Sequence, residues 1–467
     1  MSNFAAENRN RHIAMDNSKI LELGTMPVGK LLWKYSVPAV IGMVVMSLYN
    51  IVDRIFIGQG VGADAISGLA ITFPLMNISA ALGTLIGVGA AARVSIEYGK
   101  DDQQLAKKIL GNSLTMTLII AIAYTTVFYI FLEPILRFFG ASDVTLPYAY
   151  DYMFYLLPGF ILTNLSYSFN NIMRASGYPK KAMITMILGA VINVALDPIF
   201  ILVLDMGIRG AAIATVISML ITAIFVMWHF CNKSSVLHFT RGIYRPNIRL
   251  VWNIMTIGAS PFLINLAGCC INILINNTLY KYGGDVAIGA AGIFNTYTQM
   301  VVMIVLGICQ GLQPIIGYNY GAHKYERLRS AYFLAIRVSS IIFIIGAMGS
   351  MFGTEYVVRA FTVDPKLISA STHALRMATF TFWTVGVSIV STTLFQSVGD
   401  AWKSIFLSLT RQVIYIIPIM LILPRFIGLD GVWLSFPLSD LCTLITTIIL
   451  VKRELMKIKV RMQALSA

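Results

Sequence analysis

Charge is what this chain has least of. Only 12% of its 467 residues are Asp, Glu, Lys or Arg, about half the share of an ordinary soluble domain. Hydrophobic residues make up 57% and the mean hydropathy is +0.76. A soluble protein of this length needs polar helix faces, and the apolar stretches here are too long and too uniform to have them. Cysteine is also scarce. The five (Cys231, Cys269, Cys270, Cys309, Cys442) sit in or beside apolar runs without metal spacing, which excludes a disulfide framework and leaves them as small packing residues. The five histidines (His12, His229, His238, His323, His373) lie at termini or run ends and make no H-E-x-x-H pair or haem-ligand array. Acidic residues are absent altogether from 250–280 and 370–396.

What is present is a series of twelve apolar runs, each near the ~20 residues that cross ~30 Å of hydrocarbon. They fall at 31–57, 66–92, 109–132, 148–172, 182–203, 210–230, 250–280, 286–316, 330–352, 370–396, 403–423 and 429–451. The first is no cleaved signal peptide, being too long and preceded by a polar tail without a small-residue cleavage site after it. The net charge of +14 invites a nucleic-acid reading, but its placement follows the membrane. With a cytoplasmic N-terminus, 27 basic residues fall at inner ends and 8 at outer ends, as the positive-inside rule requires. Both termini are therefore expected in the cytoplasm. GTMPVGKL at 24–31 resembles a phosphate loop, yet it lacks the final Ser/Thr and a preceding strand, so no nucleotide site is expected.

The runs repeat. YGKDD at 98–102 corresponds to YGAHK at 320–324, RASGYPKKA at 174–182 to QSVGDAWKS at 396–404, and GIRGAA at 207–212 to GLDGVW at 428–433, at a nearly constant offset of 222. Six runs repeated once make a parallel repeat, both halves pointing the same way, which is transporter architecture with the site at the interface of the repeats. The expected divisions are a cytoplasmic tail 1–30, an N-lobe 31–230, a cytoplasmic linker 231–248, a C-lobe 249–452 and a cytoplasmic tail 453–467.

Two acids are expected inside runs: Asp53 in NIVDRIFIG and Asp197 in INVALDPIF. At a helix centre such a group costs about 2.5–3.5 kcal/mol on insertion scales, so it is functional by default. Counting 1.5 Å per residue from the run ends puts both roughly 7–12 Å below the outer surface. Thr215 reaches similar depth on the sixth run. Asn193 precedes Asp197, and Tyr49 precedes Asp53, by one helical turn on the same face. Two carboxylates, an amide and hydroxyls in one layer suit a hard cation or an exchangeable proton. The second half offers Ile275 and Ile417 at the matching positions, so the ion chemistry is expected in one lobe. Plainer readings stand beside these. Asp53 could snorkel to the surface beside Arg54, Asp197 could serve backbone groups freed by Pro198, Asn193 could bond between helices, and Thr215, after GAAIA, could mark close packing.

The stretches SLYNIVDRIFIGQGVGADAISGLAITFP, RASGYPKKAM, NVALDPIFIL, GIRGAAIAT and GLQPIIGYNYGA together resemble the multidrug and toxic compound extrusion (MATE) family, in its bacterial branch with the cation site in the N-terminal lobe. The similarity runs from about Met26 to Leu455. It implies an all-α polytopic membrane protein: twelve transmembrane helices in two pseudo-symmetric six-helix lobes forming a V, which alternates between inward- and outward-open states. It places the cation or proton site on Asp53, Asn193, Asp197 and Thr215, with Tyr49, Tyr152, Asn170 and Arg174 in a surrounding polar network. Pro38 matches the family's bending proline, a hinge in the first helix. The other branch uses acids in helices 7 and 10, which this chain lacks.

The resulting expectation is a non-enzymatic multidrug efflux antiporter of the bacterial cytoplasmic membrane, exporting amphipathic, cationic compounds in exchange for H⁺ or Na⁺. No cofactor is expected. Its partners would be drug-like small molecules, the coupling ion and membrane lipids, without nucleic acid, and the chain would act as a monomer. A flippase for lipid-linked precursors is the alternative on the same architecture, and it would favour a cationic cleft. An intramembrane enzyme lacks a nucleophile–base pair in this sequence, and a scaffold would leave the two acids unexplained.

Overall fold

A computed structural model describes residues 19–61 and 63–466. The expected tail 1–30 therefore lies mostly outside the described residues. Twelve long helices follow in order: α1 Val28–Gly60, α2 Ala63–Gly99, α3 Gln103–Ile130, α4 Leu146–Ala175, α5 Pro179–Pro198, α6 Gly207–Cys231, α7 and α8 within Ile248–Gly321, α9 Tyr325–Phe352, α10 Pro365–Ala378 with Phe382–Ser397, α11 from Ala401 to Ile422, and α12 Leu429–Ser466. The α7–α8 run breaks at Gly284, whose φ of 63° and ψ of −158° leave helical space. Only glycine enters that region freely, and the hydropathy gap at 281–285 falls on it.

The internal repeat is written into the backbone. Gly177 and Gly399 (φ 96° and 82°) turn the chain between α4 and α5 and between α10 and α11. Asp101 and His323, equivalent in YGKDD and YGAHK, both take left-handed φ of 64° and 57°. Few non-glycine residues do so, and the coincidence at one offset marks the same turn made twice.

Three hydrophobic cores define the shape. One gathers residues of both halves, including Leu31, Ile86, Phe169, Leu312, Tyr332 and Leu394. The other two each belong to one half: Ile57, Leu75, Tyr152 and Ile208 in the first, Ile275, Phe294, Ile416 and Trp433 in the second. The two lobes, α1–α6 and α7–α12, thus share packing near one membrane face and fork toward the other. The shared face carries the 232–247 connection and the C-terminal end of α12, and most of the lysines and arginines. It is called the basic face below.

Beside that core, at several points along the face, the lobes meet backbone to backbone. A Cβ on Gly258 would sit 1.7 Å from the Leu85 carbonyl oxygen, and one on Gly89 2.0 Å from that of Ile254. Gly99 and Gly321 stand equally close to the Tyr318 and Ile96 carbonyls (2.1 and 2.0 Å). The backbone of α2 therefore lies directly on α7 and α8, which small residues permit in a membrane. Side chains of the second lobe clasp the segment before α1: Asn319 Nδ2 donates to Leu23 O (3.0 Å), Lys324 Nζ to Gly24 O (2.9 Å) and Arg327 to Met26 O (2.5 Å).

Three local features depart from simple spans. The tenth run bends by 56° between Ala378 and Phe382. No proline or glycine lies there. The Thr379 hydroxyl instead bonds back to Leu375 O (2.7 Å) and across to Ser350 (2.6 Å), the kind of local bonding that bends helices. After Pro198, which has no N–H to give, α5 relaxes into π-helix over Ile199–Val203. A second π segment, Thr410–Tyr415, interrupts α11.

Candidate functional site

The fork in the first lobe holds the acids. Asp197, on the last turn of α5, is fully buried, and Asp53, on α1, is 8% exposed. The two carboxyls face each other within hydrogen-bonding reach and interact electrostatically. A hydrogen bond between two carboxyls needs a proton on one of them, and two ionised groups so placed repel strongly. One turn deeper on α5, buried Asn193 donates from Nδ2 to Thr215 Oγ1 on α6 at 3.1 Å. Thr215 Oγ1 in turn donates to Ala211 O at 2.9 Å.

The amide and hydroxyl donors are thus spent within the site, and the acceptors are left facing inward. Apart from the Asp53 carboxyl, no hydrogen bond from the described residues reaches either carboxylate oxygen of Asp197, and none reaches Asn193 Oδ1. Buried acceptors without donors are rare in folded proteins. Three such oxygens beside a second carboxyl form a set that a proton or a hard monovalent cation satisfies and a neutral apolar group does not.

Two tyrosines close the layer. Tyr152 on α4 bonds Thr215 and lies within electrostatic reach of both acids, and Tyr49 on α1 is likewise close to both. Asp53, Asn193, Asp197, Thr215, Tyr49 and Tyr152 therefore converge from α1, α4, α5 and α6. Pro38 lies buried within an unbroken α1, fifteen residues toward the basic face from Asp53.

Asn170 and Arg174 do not join them. They follow Tyr152 by 18 and 22 residues on the same helix, which at 1.5 Å each is about 27 and 33 Å toward the basic face. There Arg174 donates to Asn170 Oδ1 (2.9 Å) and Asn171 Oδ1 (3.3 Å), while Asn170 Nδ2 donates to Ala182 O (2.8 Å). They fasten the end of α4 to the start of α5 across the Gly177 turn. The family resemblance groups them with Tyr152 in one network, but the length of α4 keeps them apart.

Two features were not anticipated. Within the first lobe, Asn164 Nδ2 meets Ser79 Oγ (3.1 Å), Tyr124 OH (2.5 Å) and Phe160 O (2.9 Å), joining α2, α3 and α4. In the second lobe a buried acid within the bundle, Asp440 on α12, is not among the two expected above. Its Oδ1 accepts from Arg411 Nε at 2.7 Å. Arg411 belongs to the π segment of α11, and Ser439 Oγ donates to its carbonyl (2.9 Å). The basic residue assigned to a helix end is thus the internal counter-ion of this acid. The residues matching the two aspartates, Ile275 and Ile417, lie in or against the second lobe's apolar core.

Comparison with known proteins agrees with this layout. The MatE family model matches residues 38–199 and again 261–421, one match per lobe and more than half of the chain in all. The multidrug export protein MepA of Staphylococcus aureus is 28% identical over 439 residues, covering 93% of this chain and 96% of its own length. Two solved structures superpose with a TM-score of 0.89 at 25% identity, over 94% of this chain and 98% of theirs. One is a MOP superfamily transporter from Pyrococcus furiosus, and the other is described as the outward-facing conformation of a multidrug resistance MATE family transporter. With the twofold family match, the forked two-lobe bundle and the twelve helices together, this chain belongs to the MATE family of membrane transporters.

Proposed function

We propose that the protein is an ion-coupled multidrug efflux antiporter of the bacterial cytoplasmic membrane, with its basic face and both termini in the cytoplasm. Its substrates are amphipathic, cationic organic compounds, and H⁺ or Na⁺ is exchanged for them. The observation that carries this reading is the Asp53–Asp197 pair with the acceptor oxygens of Asn193 and Asp197 around it. The lobes are joined at the basic face and forked away from it, an outward-facing arrangement in this orientation.

In that state the coupling ion enters from outside and neutralises the acid pair. Its charge no longer attracts a cationic substrate, and α1 repacks or bends around Pro38, so the substrate leaves outward. The ion-loaded lobes then rock, the ion is released to the cytoplasm, and a new substrate binds. One-for-one exchange of a monovalent cation for the ion moves no net charge, so the drive is the ion's concentration gradient, about 1.4 kcal/mol per tenfold. The flippase alternative is less well supported, because the interior cation Arg411 is neutralised by Asp440.

The test is efflux of a fluorescent organic cation from proteoliposomes under independently imposed pH and Na⁺ gradients. Stimulation by one gradient identifies the ion. Asp53→Asn is expected to insert and fold but to lose gradient-driven export. Normal export by that variant would refute the proposal.

A further inference from the structure

A second concavity, of about 720 Å³, lies at the basic face of the second lobe, well away from the acid pair. Its size suits a small ligand or a lipid headgroup. It forms where the first turns of α7 and α11, the end of α8 and the extension of α12 come together. The apolar run of α12 ends at Val451, but the helix continues to Ser466. That extension turns Glu454, Lys457 and Arg461 toward the pocket, at the spacing that shares a helix face.

The charges in the pocket divide into a closed set and an open one. Lys403 bridges Asp400 and Glu454, the latter at 2.6 Å, which occupies both acids. Lys457 and Arg461 enter no ion pair among the described residues, and Arg461 is oriented by its hydrogen bond to Tyr320 OH at 2.9 Å. Two cations therefore line the pocket with its acids already engaged, and Arg461 is the one fixed in place. At its rim stand Trp252 and Trp402, which are 67% and 80% exposed. Both lie within the first turns of their helices, at the level where the hydrocarbon ends and tryptophan anchors to headgroups. Paired cations above exposed indoles at that level match a ligand with a phosphate at one end and acyl chains at the other.

We propose that this pocket binds the phosphate headgroup of an anionic phospholipid from the leaflet at the basic face. Lys457 and Arg461 hold the phosphodiester, the Tyr320 hydroxyl keeps the guanidinium in place, and Trp252 and Trp402 pack against the first methylenes of the chains. Lys403 supports the site by keeping Asp400 and Glu454 from repelling the phosphate. A lipid held there bridges α7, α8, α11 and α12, all of the second lobe.

The experiment uses the full chain in nanodiscs carrying brominated phosphatidylglycerol or brominated phosphatidylcholine. The signal of Trp402 is taken as the difference between the wild type and Trp402→Phe. Phosphatidylglycerol is expected to quench Trp402 more than phosphatidylcholine does. Removing one basic residue should weaken the preference about fivefold, since a cation near an anionic surface contributes ~1 kcal/mol. The Lys457→Gln/Arg461→Gln double variant should abolish it. Arg461→Lys, which keeps the charge, should retain most of it, and Lys107→Gln/Lys108→Gln on α3, at the same face of the other lobe, should leave it unchanged. Inorganic phosphate should compete no better than chloride of equal ionic strength. Equal quenching by the two lipids, an equal loss in the Lys107/Lys108 variant, or selective displacement by inorganic phosphate would each overturn the proposal, the last by making the ligand a soluble phosphate.

Discussion

The two lobes treat a buried acid in opposite ways. In the first, Asp197 faces another acid, Asp53, and its oxygens have no other donor among the described residues. In the second, Asp440 faces Arg411 and is bonded to it at 2.7 Å. Both acids lie within the bundle on equivalent helices or their neighbours, and both need a positive partner. The second lobe supplies its own, permanently, as a guanidinium that cannot deprotonate. The first supplies no such cation among the described residues, and the function proposed above gives that place to the coupling ion. The repeat thus produced two similar frames that differ in whether the buried acid has a counter-charge covalently attached to the same lobe.

This comparison can be broken most decisively at Asp197. Asp197→Asn should reduce gradient-driven efflux from proteoliposomes to the level of protein-free vesicles while leaving thermal unfolding in detergent near that of the wild type. A large loss of stability with normal transport would reverse the roles assigned to the lobes. Asp440→Asn should do the converse. It strands Arg411 in the bundle, and breaking one side of a buried pair costs about 3–5 kcal/mol, visible as a lowered unfolding midpoint. Replacing both partners, Arg411→Met with Asp440→Leu, should recover most of that stability, because an apolar pair avoids the desolvation of both charges. If the double variant stays unstable or loses ion dependence, the pair is more than a structural neutralisation.

A smaller effect is expected at the hydrogen bond within the site. Asn193→Ala should weaken the apparent affinity for the coupling ion in a transport assay, and the Asn193–Thr215 bond itself accounts for ~0.6–1.7 kcal/mol of interhelical interaction. Thr215→Ala should shift it in the same direction. A double variant no worse than either single one would place both residues in one ligand unit.

Much of the fold is legible in hydropathy because a membrane leaves few alternatives to helices. The first run, read as 31–57, is a helix over 28–60, and the gap near 281–285 falls on the Gly284 break. The offset of 222 that pairs YGKDD with YGAHK reappears as the shared left-handed turns at Asp101 and His323. The bend in α10 is not legible, since it comes from threonine hydroxyls bonding to backbone and to a neighbouring helix rather than from proline or glycine. Nor is the end of α12, where hydropathy falls but the helix continues through a charged extension.

The candidate site divides along the same line. Asp53, Asp197 and Asn193 stand out because an acid or an i, i+4 polar pair is conspicuous in an apolar run. Thr215 follows from its depth along the sixth run and Tyr152 from the family resemblance, and their approach to the acids depends on how α4 and α6 pack. The Asp440–Arg411 pair joins residues 29 apart on different helices. Basic residues counted only for topology conceal such a partner, so a search for acids should extend to every cation within a run as well as at its ends.

The contact of bare backbones at Gly89, Gly99, Gly258 and Gly321 has a kinetic consequence. Ordering a long side chain takes up to about 1.5–2 kcal/mol of rotational freedom, and a seam made of interlocked side chains would incur this at each re-formation. Glycine has no rotamers to arrest. These four contacts can separate and rejoin with little loss of side-chain entropy, which leaves that cost to the packed side chains around them.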